Sequence, residues 1–284
     1  MNAVIAGKEP VLSWADSIAA SAVECLLLEL ETWPKPGLVS HIDSGSHEDM
    51  DADTFRASAA AIEPYFSALA DAGARGCGMS SLRRIGIDAE AAMLAATSGI
   101  NTHRGAIFGM GLLCAAAGAR SAGRVDRAMS LGATVVTLWG QDILAGPVLL
   151  HSHGSRTRLR YGAGGARLEA ARGFPTVYEI GLPVFRKASR ETLGNTEAAR
   201  VETCFALIAE LEDTNLLHRG GPSGLRLARR LARDFLEDGG VRTKYWRAHA
   251  RVIHDLFVAT RLSPGGSADL LAMTLFVDAQ EDSR

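Results

Sequence analysis

The chain has 284 residues, 47% hydrophobic and 22% charged, with a formal net charge of −2; this is the composition of an ordinary globular protein near the upper size for a single core. So balanced a charge excludes a global basic field for nucleic acid or an anionic membrane, and any anionic ligand must be held by a local cluster. No window reaches about 18 uninterrupted apolar residues, so no membrane span is expected.

Ser13 to Glu31 places Ile18, Ala22, Val23, Leu26, Leu27 and Leu30 on one stripe, which predicts an amphipathic helix with Ser13 as N-cap and Pro34 ending the pattern. Further helices are predicted over Asp53 to Ala72, Asp88 to Ala96, Gly105 to Ala117 and Val125 to Leu144. After a glycine- and arginine-rich stretch they resume over Glu197 to Glu212, Ser223 to Glu237, Lys244 to Thr260 and Ser267 to Phe276. Clean two-residue alternation is nearly absent, and many apolar positions are alanine, which permits close helix approach. The expected fold is an all-α, single-domain multi-helix bundle over residues 1–284, with its core at about 12–278 and an active-site cleft built from polar loops.

Cys25, Cys77, Cys114 and Cys204 form no CxxC pair, and three sit in apolar helical surroundings, which predicts free thiols in a reducing compartment. The N-terminal segment carries Glu9 rather than a basic stretch followed by an apolar run. A cytoplasmic location is therefore expected.

The irregular segments concentrate the polar chemistry: 32–52, 97–104, 151–176, 213–224 and 262–267 each combine Gly with His, Arg, Asn or Asp. Loops held by a rigid scaffold are where binding and catalytic groups usually sit. In "WPKPGLVSHIDSGSHEDMD" (33–51), two prolines restrict the backbone, and Gly37 and Gly45 allow close approaches that a side chain would block. Lys35, His41, Asp43, His47, Asp49 and Asp51 crowd the same stretch. Hard carboxylate oxygens suit Mg²⁺; the plainer reading is a solvated turn in which Asp49 or Asp51 caps the next helix. "NTHRG" (101–105) feeds a helix N-terminus, where free N–H groups and the dipole favour anions. His103 and Arg104 make it a candidate phosphate cradle, and a simple helix–helix turn capped by Asn101 is the alternative. The glycine- and arginine-rich segment at 158–183, with Arg156, Arg158, Arg160 and Arg167 nearby, reads as a mobile lid or as a solvated loop. Ser267 and Asp269 read partly as N-terminal capping residues. His151/His153 and His249/His254 lack HExxH form and cysteine partners, so zinc is not expected. No GxSxG elbow, Walker A loop, dinucleotide fingerprint or EF-hand is present.

"PKPGLVSHIDSGSHEDMD", "GIDAEAAMLAATSGINTHRGAIFGMGLL", "GARLEAARGFPTVYEIGLP", "DTNLLHRGG" and "LSPGGSADLLA" occur in that order across nearly the whole chain. Together they resemble the triphosphoribosyl-dephospho-CoA synthase family. The resemblance implies the reaction ATP + 3'-dephospho-CoA → 2'-(5''-triphosphoribosyl)-3'-dephospho-CoA + adenine. The product would pass to a phosphoribosyl-dephospho-CoA transferase acting on an acyl carrier protein. Ser40-His41 after the valine is closer to the malonate decarboxylase branch than to the citrate lyase branch, where an acidic residue is usual at the first position. Arg104 departs from the family's usual lysine, exchanging a point donor for a planar fork.

The implied chemistry is a single inverting displacement at the ribose carbon that bears adenine, through an oxocarbenium-like state. The resemblance also implies Mg²⁺ for the triphosphate. On that basis Asp49, Asp51 and Glu90 are expected to serve as metal ligands or base, with Glu29 a further carboxylate and His47 orienting an acid or assisting the leaving base. Lys35, His103 and Arg104 are expected to hold phosphates, Asn101 and Thr102 to shape that turn, Gly37 to permit close substrate approach, and Arg167 and Arg219 to add phosphate contacts. Rival readings are an all-α, Mg²⁺-dependent nucleotide or ADP-ribosyl hydrolase, and a non-catalytic partner of a carrier protein. A homodimer is expected from the frequency of that state.

Overall fold

A computed structural model describes residues 13–146 and 164–281. Among them are eleven α-helices and no strand. They are α1 (Trp14–Leu30), α2 (Ala52–Ala74), α3 (Met79–Ala96), α4 (Arg104–Ser121), α5 (Leu131–Ala145), α6 (Gly165–Ala171), α7 (Leu182–Glu191), α8 (Thr196–Glu210), α9 (Thr214–Glu237), α10 (Trp246–Ala259) and α11 (Gly265–Glu281). A π-helical turn (Val177–Gly181) leads into α7, and a 3₁₀ turn (Gly240–Arg242) follows α9. The all-α expectation holds. No helix among the described residues is long and apolar enough to cross a membrane.

The bundle is organised around α4. Its run from Ala106 to Ala119 is buried on nearly every side, as expected of a helix without a polar face. Small residues let neighbours approach it. A side-chain carbon added at Gly73 would lie 1.9 Å from the Ala115 carbonyl oxygen, and one at Gly118 would lie 2.0 Å from that of Ala70. α2 and α4 therefore touch backbone to backbone at two points, which no larger residue permits. α1 and α11 pack beside this pair, and α8 carries the second half of the core, where Phe205 stacks on Phe235 of α9 with ring centroids 4.0 Å apart.

Several boundaries differ from the sequence expectation, each with a local cause. α3 begins at Met79 rather than Asp88, because Gly86 lies inside the helix and Met79 and Leu82 are already buried. α5 begins at Leu131 rather than Val125, capped by Ser130, whose hydroxyl accepts from Ala133 N–H. The segment 213–224, expected to be irregular, is helical on both sides of a kink at Gly221 (φ 59°) before Pro222. α7 was not anticipated at all: its polar face hides the period, and Pro183 sits harmlessly in its first turn. Of the expected arginine-rich lid, residues 165–183 fold into α6, the π turn and the start of α7; Arg156, Arg158, Arg160, His151 and His153 lie outside the described residues. The thiols of Cys25, Cys77, Cys114 and Cys204 are free, as expected.

Candidate active site

One cavity of about 1090 Å³ opens between the 32–51 segment, α3, the N-terminus of α4, α6 and the turns before α9 and α11. Ligand sites usually run to about 300–1,000 Å³, so this is large for a single small ligand. Glu29, His47, Asp49, Glu90, Asn101, Thr102, His103, Arg104, Arg167 and Arg219 all line it. Asp49 and His103 thus share one cavity, although they come from different loops.

The other predicted residues are used elsewhere. Lys35 is fully buried and does not line the cavity: its ammonium donates to the Glu29 carboxylate and, at 2.6 Å, to the Glu29 carbonyl. A phosphate-binding role for Lys35 is replaced by charge compensation of Glu29. Gly37 adopts φ +66° with its α-carbon against α10 and the following turn, and an added side-chain carbon would fall 2.1 Å from the Leu262 carbonyl oxygen. Its glycine serves a chain crossing, not substrate. Asp51 is the N-cap of α2, accepting from Thr54 N–H at 2.9 Å in a reciprocal capping box. The plainer reading was correct for Asp51, and its metal role is withdrawn.

Among the lining residues, many donors and acceptors are already engaged. Arg104 Nε donates to Glu90 Oε2 at 2.8 Å, so the two form one half-exposed ion pair at the rim. Arg167 turns its guanidinium back onto the carbonyls of Ile143, Leu144 and Gly146 at the end of α5. Arg219 donates to the carbonyls of Ser46 and Arg261 and to His47 Nδ1 at 3.2 Å, stapling α9 to the Pro-Gly segment. His47 Nε2 meets Ser263 Oγ at 2.9 Å, and Asp49 lies 3.7 Å from His47 Nδ1 with its side chain 64% exposed. Burial and the neighbouring Arg219 charge hold His47 below its ordinary pKa, the latter opposed by Asp49.

The expected phosphate cradle at α4 is partly filled. Asn101 Oδ1 accepts from Arg104 N–H, and the Asp269 carboxylate accepts from Ala106 N–H. Glycine at 105 is what lets Asp269 in: a side-chain carbon there would lie 2.0 Å from Asp269 Oδ2. A carboxylate, rather than an open anion seat, faces the positive end of this helix.

Asp269 and Asp213 are the residues that sequence reasoning underrated. Asp213 caps α9, accepting from Asn215 and Leu216 N–H, and its other oxygen accepts from Ser267 N–H and hydroxyl at 2.9 and 3.0 Å. Burial raises its pKa against these hydrogen bonds. Asp269 has the Ala106 hydrogen bond and no ion-pair partner among the described residues. Burial first, then the nearby charges of Glu29 and Asp213, push its carboxyl well above the usual range. In the sequence it looked like a cap of its own helix; only the packing of α11 against α4 reveals that it caps a different one. Arg83, Arg172 and His218 also line the cavity and were not anticipated. Counted together, eight Asp and Glu residues line the cavity against five arginines among the described residues.

The family model for ATP:dephospho-CoA triphosphoribosyl transferase matches residues 15–284. The chain belongs to that family. Among similar curated proteins, one from Stutzerimonas stutzeri is 42% identical, the match covering 98% of this chain and 96% of the relative. Another from Azotobacter vinelandii is also 42% identical, covering 96% and 94%, and one from Pseudomonas putida is 39% identical, covering 94% and 95%. Each is named "probable 2-(5''-triphosphoribosyl)-3'-dephosphocoenzyme-A synthase". No solved structure matches the chain. As a member of this transferase family the protein is an enzyme.

Proposed function

We propose that this cavity binds ATP and 3'-dephospho-CoA together and joins them, forming 2'-(5''-triphosphoribosyl)-3'-dephospho-CoA and adenine for the prosthetic group of a malonate decarboxylase acyl carrier protein. The observation that carries the reading is one large cavity holding a nearly unpartnered, half-buried carboxylate, Asp269, beside a rim of arginines. The 2'-hydroxyl oxygen of dephospho-CoA attacks the ATP ribose carbon as the bond from that carbon to adenine breaks. Asp269 accepts the hydroxyl proton, a task suited to a carboxylate whose basicity burial has raised. The proton lost there balances the one that adenine takes up. Glu29 and Asp269 place negative charge where the sugar becomes cationic.

A triphosphate enters a wall that is already rich in acids, and the five arginines are partly committed to backbone carbonyls and to Glu90. A divalent cation is the simplest way to offset that charge. Mg²⁺ needs only one or two protein carboxylates and completes its shell with phosphate and water; this donor set fits it, although no group of three or more His, Cys, Asp or Glu among the described residues is placed to hold a metal. Asp49, exposed on the rim next to Arg219, would be its protein ligand, and the ion would supply charge neutralisation for the triphosphate. Arg219, Arg104, Arg83 and Arg172 would complete the triphosphate seat.

Mass spectrometry after mixing the protein with ATP, Mg²⁺ and 3'-dephospho-CoA tests this. The coupled product and stoichiometric adenine are expected. Ribose triphosphate released without the acceptor would establish a hydrolase instead, and no adenine under any condition would end the catalytic reading. The malonate assignment rests on Ser40-His41; a citrate lyase carrier gene beside this one would overturn it.

A further inference from the structure

His103 is predicted from the sequence to hold phosphate as a cation, yet its surroundings give it a different character. It precedes α4, is 4% exposed and lines the cavity. Its ring meets Phe55 edge-on with centroids 4.9 Å apart. Nδ1 lies 2.7 Å from Ser58 Oγ on α2, and Ser58 Oγ in turn accepts from the Thr102 hydroxyl at 2.7 Å.

With Thr102 donating to Ser58, the Ser58 hydroxyl hydrogen is available to Nδ1, the arrangement in which Nδ1 accepts. A neutral imidazole that accepts at Nδ1 carries its hydrogen on Nε2. Nε2 takes no hydrogen bond from the described residues, and His103 lines the cavity, so Nε2 is the ring nitrogen left for a ligand there. Burial and the charge of Lys35 push the His103 pKa down to about 4, which keeps the ring neutral.

The structure assigns His103 as a neutral Nε2–H hydrogen-bond donor for a purine ring nitrogen of the departing base, with Ser58 and Thr102 as positioning residues that fix its tautomer. The ligand rests on the reading of the cavity as a nucleotide site; the tautomer does not. A neutral donor suits a heteroaromatic nitrogen better than a triphosphate, which calls for full positive charge. The lining agrees: Phe55 packs on His103, Ile87 lies one turn before Glu90 on α3, and Phe108 lies one turn after Arg104 on α4. These are flat or apolar surfaces for a base.

Nitrogen-15 NMR of the full-length, ligand-free protein at pH 7 tests the tautomer. The expected spectrum shows His103 with a protonated Nε2 and an unprotonated Nδ1, and Thr102→Val and Ser58→Ala should each mix in the other tautomer. Thr102→Val serves if removal of the buried Ser58 hydroxyl disturbs folding. An imidazolium, or hydrogen on Nδ1, overturns the assignment whatever the enzyme's activity. Titration with free adenine should then shift Nε2, whereas inorganic triphosphate should not; a shift with triphosphate alone returns His103 to the phosphates. In turnover, Thr102→Val should lower kcat about ten-fold with little change in the KM for ATP. His103→Gln, which keeps a neutral N–H donor, should exceed both His103→Ala and His103→Lys; rescue by lysine instead would refute the neutral role.

Discussion

Asp269→Asn isolates the proposed base from the fold. Asparagine has the same shape, and its carbonyl oxygen can still accept from Ala106 N–H, as the carboxylate does. Gly105 still leaves room, since no atom is added against the helix start. What disappears is the ability to take a proton, worth about 10²–10⁴ in rate, or about 3–5 kcal/mol of barrier. Stability should move the other way. Asp269 has a folded pKa above its unfolded value, so its protonated form favours folding at low pH and that benefit is lost as pH rises through the folded pKa. A neutral amide escapes the repulsion from Glu29 and Asp213, so Tm should equal or exceed wild type, with the gap widening as pH rises. Adenine release followed by chromatography, with thermal melts at several pH values, reads both quantities. Wild-type turnover in the folded variant would refute the assignment of Asp269 as base.

Lys35→Met leaves Glu29 buried without its counter-charge and should cost about 3–5 kcal/mol in urea unfolding, with much of that recovered in Lys35→Met/Glu29→Gln; an exposed or phosphate-binding Lys35 would give almost no loss. The pair of His254 and Asp43, 3.3 Å apart, makes stability depend on pH at two ends. The His254 pKa is raised because Asp43 and the Lys35 carbonyl outweigh desolvation, so its contribution is complete below the unfolded value of about 6.5 and fades as pH rises through the folded one. Asp43, held at about 2 against desolvation by His254, Gly45 N–H and Trp33, contributes fully above 3.8 and loses that contribution as pH falls through about 2. Melts of His254→Gln should show both dependences reduced. Asp49→Asn should raise the Mg²⁺ concentration needed for half-maximal rate, and EDTA should abolish adenine release reversibly; unchanged turnover of Asp49→Asn at limiting Mg²⁺ would remove that residue from the metal site.

The helices were legible where one face is apolar and the ends are capped. Ser13 accepts from Asp16 N–H as expected, and α10 and α11 fall close to their predicted spans. α7 and the first half of α9 were not, because a short amphipathic helix with Gly and Pro at its ends resembles a loop until its partners are known. The cavity was legible in outline, since the polar loops do converge, but the division of labour within it was not. Sequence spacing reports which groups are near one another along the chain; it cannot report which have been neutralised by groups hundreds of positions away.

That distinction explains the dense 32–51 segment. Lys35 neutralises Glu29, Asp43 holds His254, Gly37 crosses under Leu262, Asp51 caps α2, and His47 is stapled by Arg219 and Ser263. Most of its polar chemistry is spent on keeping an irregular strap with a buried first half in place, because every buried donor and acceptor there must find a partner. Asp269, by contrast, sits in the unassuming "GGSADLLA" start of α11 and keeps most of its hydrogen-bonding capacity. A half-buried carboxylate with one hydrogen bond and two acidic neighbours is costly to maintain. A fold that supplies salt bridges and caps so freely to the acids around it has left this one exposed to the cavity, and that unequal treatment is the strongest physical reason to place the chemistry at Asp269 rather than in the more crowded loop.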